Sequence, residues 1–345
     1  MDGNALYLYG FMTADAPLRL GPFGLDNGEV VLKGGPGLAV AASEVAPVDF
    51  PRLPRDTLLK YVAEHQRVLE GMMVRGPVIP LKFGTVLGRG SEVEALLANG
   101  RSRILAAFET ACGKTELDVV ARFSDFEREL REIGTSEAVS HFRREAVLAS
   151  EADRQKARMT LGKMVKAELE QKRKGYAEAI VEGLKGASAA LAPLEVRDDA
   201  VIVSLAALVE EKETPRFEEA LTDLDRRLED RVDFRLIGPL PCNSFYTLSV
   251  QQVDFAEIDG ARRCLSLPER VTPSDIREAY RLMVRDCHPD SSSHGDLEAG
   301  RFEDVSKSYR LLLALCGEGP VSFAKGGESR WLTVQRSDQT GRGGP

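Results

Sequence analysis

Few residues in this sequence have types and spacings suited to chemistry. Four histidines occur in 345 residues: His65, His141, His288 and His294. His288 stands in Cys287-His288-Pro289-Asp290, where a thiol abuts an imidazole, although a filler thiol is the simpler explanation of Cys287. His65 and His141 fall within helical patterns, in ordinary surface or packing positions. The five cysteines, Cys112, Cys242, Cys264, Cys287 and Cys316, include no Cys-x-x-Cys pair, so neither zinc nor dithiol chemistry is indicated. Reduced, mostly buried thiols are expected. Gly84-Thr-Val-Leu-Gly-Arg-Gly90 lacks a phosphate-loop lysine and reads as a turn after a strand, and no Gly-x-Ser-x-Gly elbow occurs. These absences argue against an enzyme, and no metal or other cofactor is expected. Recognition is the chemistry left open.

Composition points the same way. With 43% hydrophobic and 29% charged residues the chain is of the soluble globular class, and a net charge of −8 argues against nucleic-acid binding. The longest apolar runs, such as 201–209, fall far short of the roughly 20 residues that span a bilayer, so no membrane span is expected. Met1-Asp2-Gly3-Asn4 lacks the basic region of a secretory signal, which predicts a cytoplasmic location.

The elements that would position any site read as α+β. Ala5-Leu-Tyr-Leu-Tyr-Gly-Phe11 is a buried strand, and residues 37–44 form a second after the Gly34-Gly35-Pro36 turn. Asp56 can cap a helix with Leu58, Leu59, Val62 and Leu69 on one side. Pro77-Val-Ile-Pro-Leu-Lys-Phe-Gly-Thr-Val-Leu87 reads as an edge or bulged strand. Ser91 and Glu94 make a capping-box pattern before a helix to about Ala111, and a strand over 116–121 and a short helix from Ser124 follow. Residues 136–191 form one or two long helices, broken near Gly183–Gly186, whose charges around 168–174 give a solvated face. Then come a strand over 201–209, a helix opened by Thr214-Pro215 with Phe217, Leu221, Leu224 and Leu228 on one face, and strands over 232–237 and 244–250. Strand, helix and Pro-punctuated strand thus appear twice, which suggests an internal duplication. The expected division is an N-terminal α/β domain over 1–134, a long helical segment over 135–193, a second, related α/β domain over 194–258, a helical module over 259–317 and a flexible tail over 318–345. In that tail Trp331 would either anchor to a partner or fold back as a lone strand.

Three segments resemble the GvpF/GvpL family of gas-vesicle proteins, in the expected order over about residues 6–253. Leu6-Tyr-Leu-Tyr9-Gly10 is similar to the family's first strand. The 77–87 segment, with Pro80, Phe83 and Gly84, is similar to its most recognisable motif. Gly238-Pro239-Leu-Pro-Cys-Asn-Ser-Phe245 resembles its second Gly-Pro-rich segment. The resemblance implies a role in building the gas-vesicle shell: binding the small hydrophobic shell protein and other assembly proteins, or serving as a minor vesicle component. It implies no catalytic residue.

From Asp259 onward the pattern resembles a J-domain. Thr272 can cap a helix with Pro273 at its first position. Residues 272–290 are similar to the family's second helix and its His-Pro-Asp loop, and 302–312 to its third helix. Ile276, Tyr280 and Met283 would meet Phe302, Val305, Tyr309 and Leu312, leaving Arg277, Arg281 and Arg285 as a positive stripe at four-residue spacing. The resemblance implies that His288, Pro289, Asp290 and this stripe dock on a DnaK-type chaperone ATPase. The sequence departs from the pattern in three places: Arg263–Leu267 only loosely meets the family's opening Tyr-x-x-Leu-Gly, Asp286 weakens the basic stripe, and Ser291–His294 replaces a basic loop. The module is thus either an active co-chaperone or a docking surface alone. The expectation is a non-enzymatic gas-vesicle assembly factor or minor vesicle component, the alternative a general co-chaperone adaptor unrelated to gas vesicles.

Overall fold

The computed structural model describes residues 5–46, 48–88, 90–147, 151–196, 198–228, 230–286, 295–316, 320–323 and 331–336. These fall into two compact units, one built from the chain up to Cys112 and from Pro241 onward, the other from Gly113–Leu240.

The first unit opens with β1 (Ala5–Met12), β2 (Leu18–Gly21), β3 (Val30–Gly35) and β4 (Leu38–Val45), followed by α1 (Arg55–Met73), β5 (Val78–Pro80), β6 (Val86–Leu87) and α2 (Gly90–Ala111). The strands order as β2-β3-β4-β1-β5, with β6 also on β1. One face packs on α1 through Tyr7, Tyr9 and Met12, the other on α2 through Leu6, Leu8 and Phe11. A strand covered on both faces must be apolar throughout, which is why 6–12 reads as a continuous run. The register with β4 shifts between Leu8 and Gly10. This bulge lets Tyr7 and Tyr9 share a face with Met12 rather than with Phe11. The 77–87 segment is indeed interrupted: β5 pairs with Gly10–Met12 and β6 with Leu6–Tyr7. Three expectations for these helices are corrected. Asp56, expected to cap α1, lies in its first turn, and the N-cap is Pro54. Leu59 and Val62 are exposed, and α1 instead buries Glu64, His65, Val68, Leu69 and Met72. Ser91 lies inside α2, whose start is held by Glu92 accepting from the Gly88 N–H at 2.8 Å.

The second unit comprises β7 (Lys114–Phe123), α3 (Phe126–Gly134), α4 (Glu137–Val147), α5 (Glu151–Lys185), β8 (Ala190–Pro193), β9 (Val201–Glu210), α6 (Thr214–Arg227) and β10 (Val232–Leu240). Its antiparallel sheet orders β10-β7-β9-β8. This is the β-α-β-β-α-β arrangement in which the long helices are the first crossover. The helical segment is therefore not a spacer between two domains. The unit begins at β7 because that strand pairs along its length with β9 and β10, and the cuts fall at 112/113 and 240/241 rather than at 134 and 193. The two sheets have different strand orders, so the repeated pattern does not produce two copies of one fold.

Much of the α5 charge is solvated, as in the exposed Lys166–Glu170 and Lys174–Glu178 pairs. Lys172 differs. With Arg231 it grips Glu129, a fully buried carboxylate on α3, each at 2.8 Å, and both cations also reach Glu132. Arg231 first and then Lys172 hold the Glu132 carboxyl down at about 2. The network joins α3, α5 and the entry to β10, and Glu129 is tolerated inside only because both its oxygens are paired.

Beyond Pro241 the chain returns to the first unit as α7 (Asn243–Tyr246), β11 (Leu248–Val253), α8 (Phe255–Cys264), β12 (Arg270–Val271), α9 (Pro273–Asp286), α10 (Gly295–Cys316), β13 (Val321–Ser322) and β14 (Trp331–Arg336). Residues 244–246, expected to open a strand over 244–250, belong instead to the helical turn α7, and β11 starts only at Leu248. The stretch expected to be a flexible tail holds β14, paired with β11 from Leu248↔Arg336 to Val253↔Trp331. Thr272 caps α9 as expected: its hydroxyl accepts from the Asp275 N–H while Asp275 accepts from the Thr272 N–H at 2.8 Å. Helices α9 and α10 run antiparallel, with the Cys316 thiol beside the Val271 carbonyl and the Tyr280 and Tyr309 rings stacked at 4.1 Å. Ile276, Val305 and Leu312 join Ile258, Leu265 and Phe323 in their core, while Phe302 stays half-buried outside it.

Candidate functional site

The residues singled out in the first two motif segments meet in the first unit, around a buried ring cluster. Tyr7 and Tyr9 are fully buried on β1, and His65 of α1 stands against both, with ring centroids at 5.7 and 5.6 Å. Phe83 packs edge-on to His65 at 5.7 Å, and Phe50 closes on Tyr7 and Phe83.

Hydrogen bonds fix the order of this cluster. The Gly84 N–H donates to the Tyr7 hydroxyl at 3.1 Å. A backbone N–H can only donate, and the other ring nitrogen of His65 is engaged as a donor to the Leu81 backbone, so the Tyr7 proton is directed to His65 Nδ1, 2.9 Å away. His65 is thereby assigned the neutral Nε2–H tautomer. Burial drives its pKa down to about 4, with a backbone hydrogen bond at Leu81 acting weakly the other way. Burial also pushes the Tyr7 and Tyr9 phenols up. Tyr9 accepts from the Leu25 N–H at 2.8 Å and meets the Ser43 hydroxyl at 2.7 Å. Glu64, also buried, accepts from the Asp26 N–H at 3.0 Å, and Lys60 and Tyr61 both donate to Asp26.

The third segment is divided. Phe245 is buried in α7, where Asn243 donates to Gln66 of α1 at 2.8 Å and the Leu248 carbonyl accepts from Lys82 N–H at 2.8 Å. Gly238 and Pro239 end β10 in the second unit. Gly238 has φ +147, and a Cβ there would lie 2.7 Å from Leu117 Cδ2. Gly10 and Pro80 face each other across β1 and β5. Where the motif reaches the surface, Lys82 to Leu87 line a cleft of about 310 Å³ with Ser249, Val250, Gln252 and Leu332.

This arrangement specifies packing and shape. The residues that order the cluster with the motif, namely Ser43, Glu64, His65 and Asp26, carry no spacing that marks them in the sequence. His65 and His141 have the ordinary roles expected, the latter exposed beside Glu145 at 3.6 Å. Cys242 and Cys316 are buried, Cys264 is half-buried and Cys112 is exposed. Among the described residues no group of three His, Cys, Asp or Glu side chains could hold a metal ion, and no helix is long and apolar enough to cross a membrane.

The Gas vesicle synthesis protein GvpL/GvpF family model matches residues 5–247. The chain belongs to this family. Two solved structures share the fold: GvpF from Anabaena sp. PCC7120, with TM-score 0.56 and 21% identity over 69% of this chain and 96% of that one, and GvpF from Microcystis aeruginosa, with TM-score 0.53 and 21% identity over 70% of this chain and 99% of that one. No curated protein matches. GvpL/GvpF membership sets aside the alternative of an adaptor unrelated to gas vesicles.

On α9, beyond the matched residues, Arg277, Arg281 and Arg285 are all exposed, and none has an ion-pair partner among the described residues. His288, Pro289 and Asp290 lie outside the described residues.

Proposed function

We propose that this GvpL/GvpF protein is a cytoplasmic, non-enzymatic gas-vesicle assembly factor or minor vesicle component that binds the small hydrophobic shell protein. The observation that carries the reading is the family match over 5–247, whose first two motif segments meet in the buried Tyr7–Tyr9–His65–Phe83 cluster rather than in a reactive constellation. The α9–α10 hairpin is proposed to recruit a DnaK-type chaperone through Arg277, Arg281, Arg285 and the His288-Pro289-Asp290 tripeptide, so that bound shell protein is released or remodelled. An antiparallel pair stacked through Tyr280 and Tyr309, with the arginines on its exposed side, supports that part. ATP turnover by the host's purified DnaK-type chaperone is expected to rise on adding the wild-type chain, and the rise to disappear with His288→Gln. Absence of stimulation by the wild type would reduce the hairpin to a structural element.

A further inference from the structure

The family match ends at residue 247, yet β11, α8, α10 and β14 beyond it pack in the same unit as α2. Between these later elements and α2 runs a second cleft, of about 800 Å³. Its apolar surface comes from Ala107, Tyr246, Leu248, Leu311 and Val334. Three cations line it: Arg103 of α2, and Lys307 and Arg310 one turn apart on α10. Glu257 is the one carboxylate among the lining residues.

Arg103 is half-buried. Its Nη1 donates to the Val334 carbonyl at 2.8 Å, and no carboxylate pairs with it among the described residues. A cation taken this far out of water without a counter-charge is costly, and a carboxylate brought to the cleft recovers part of that cost. The positive excess is local, since the whole chain carries −8.

We propose that this cleft binds an acidic peptide segment of a partner protein, its Asp or Glu side chains meeting Arg103, Lys307 and Arg310 and its interspersed apolar side chains covering Tyr246, Leu311 and Val334. The size favours a peptide over a small anion. A cleft of this volume is in the range of sites that enclose whole ligands, and a lone phosphate would leave the apolar surface bare. A nucleic-acid strand would need a longer basic track than three cations. This binding does not depend on shell-protein binding or on the α9 arginines.

The test is fluorescence anisotropy of the full chain with a short labelled peptide alternating glutamate and leucine. Saturable binding is expected, and the same peptide with glutamine for glutamate should bind at least about tenfold more weakly. Lys307→Glu with Arg310→Glu should weaken the glutamate peptide by a similar factor while leaving the circular dichroism spectrum unchanged, because both side chains are exposed. Four results would overturn the proposal: no saturable binding, equal binding of the glutamine peptide, unaltered binding by the double variant, or equal binding of a peptide with glycine in place of leucine.

Discussion

Replacing Gly10 by valine is expected to destabilise the first unit by about 3 kcal/mol, a large fraction of the total stability of an ordinary domain. Gly10 lies just past the β1 bulge and opposite Pro80 of β5, where a Cβ would sit 2.9 Å from the Ile79 carbonyl oxygen and 3.0 Å from Leu69 Cδ2. The first obstacle is backbone and cannot rotate away, so the two strands would have to part at the point where the family's first two segments meet. Gly10→Ala should already show most of the loss. Urea denaturation followed by Trp331, the sole tryptophan and part of this unit, reads the effect directly. Gly162→Ala is the control: it lies inside α5 of the second unit with open space at its Cβ position, and it should leave the Trp331 transition unchanged. Wild-type stability in Gly10→Ala would mean that this close approach is not present in solution.

Acid should weaken the same unit through His65. The neutral ring is buried with a pKa of about 4, whereas in the unfolded chain it titrates near its ordinary value of 6.5. Below that value the unfolded state binds the proton first, so stability that is complete above pH 6.5 is lost as pH falls toward 4. Over this window the loss attributable to one such group is about 3 kcal/mol. The arrangement around the ring explains why protonation is resisted: Tyr7 presents a hydroxyl proton to Nδ1, and a second proton there would face a donor already committed by the Gly84 N–H. Denaturation of wild type and His65→Gln at pH 7 and pH 4, again read at Trp331, separates this group from the carboxylates common to both. The variant is expected to be weaker at pH 7 but to have the shallower pH dependence. Parallel pH profiles would show that His65 is not held neutral in the fold.

What could be read from the sequence was local. The β1 run, the proline-broken 77–87 strand, the α6 stripe and the Thr272 cap each depend on a few neighbouring residues, and each is found where its pattern placed it. Features set by distant partners were not legible. Strands β2 and β3 are short and end in glycine, and each depends on its neighbour, β3 pairing with β4 and β2 with β3. The fold-back of Trp331 as a strand is one of two readings of an apparent tail, but nothing in the sequence marks β11 as its partner or α2 as the helix that β14 packs on. The face of α1 was misjudged because Glu64 and His65 look like surface residues, yet their hydrogen bonds to the Asp26 N–H and Tyr7 allow burial, while apolar Leu59 and Val62 are left outside. The division into units eluded composition for the same reason: the helix-rich 136–185 stretch looks like a spacer until β7 is seen to pair with β9 across it. The motif segments themselves were visible, but nothing in their spacing announces the histidine that joins them.

We propose that this GvpL/GvpF chain holds the hydrophobic shell protein during vesicle assembly. The most direct test is affinity recovery of the tagged full-length chain from cells actively forming vesicles, with identification of the proteins that come with it. The shell protein is expected among them in amounts comparable to the bait. Its absence, with the tagged chain folded and vesicles still forming, would contradict the claim.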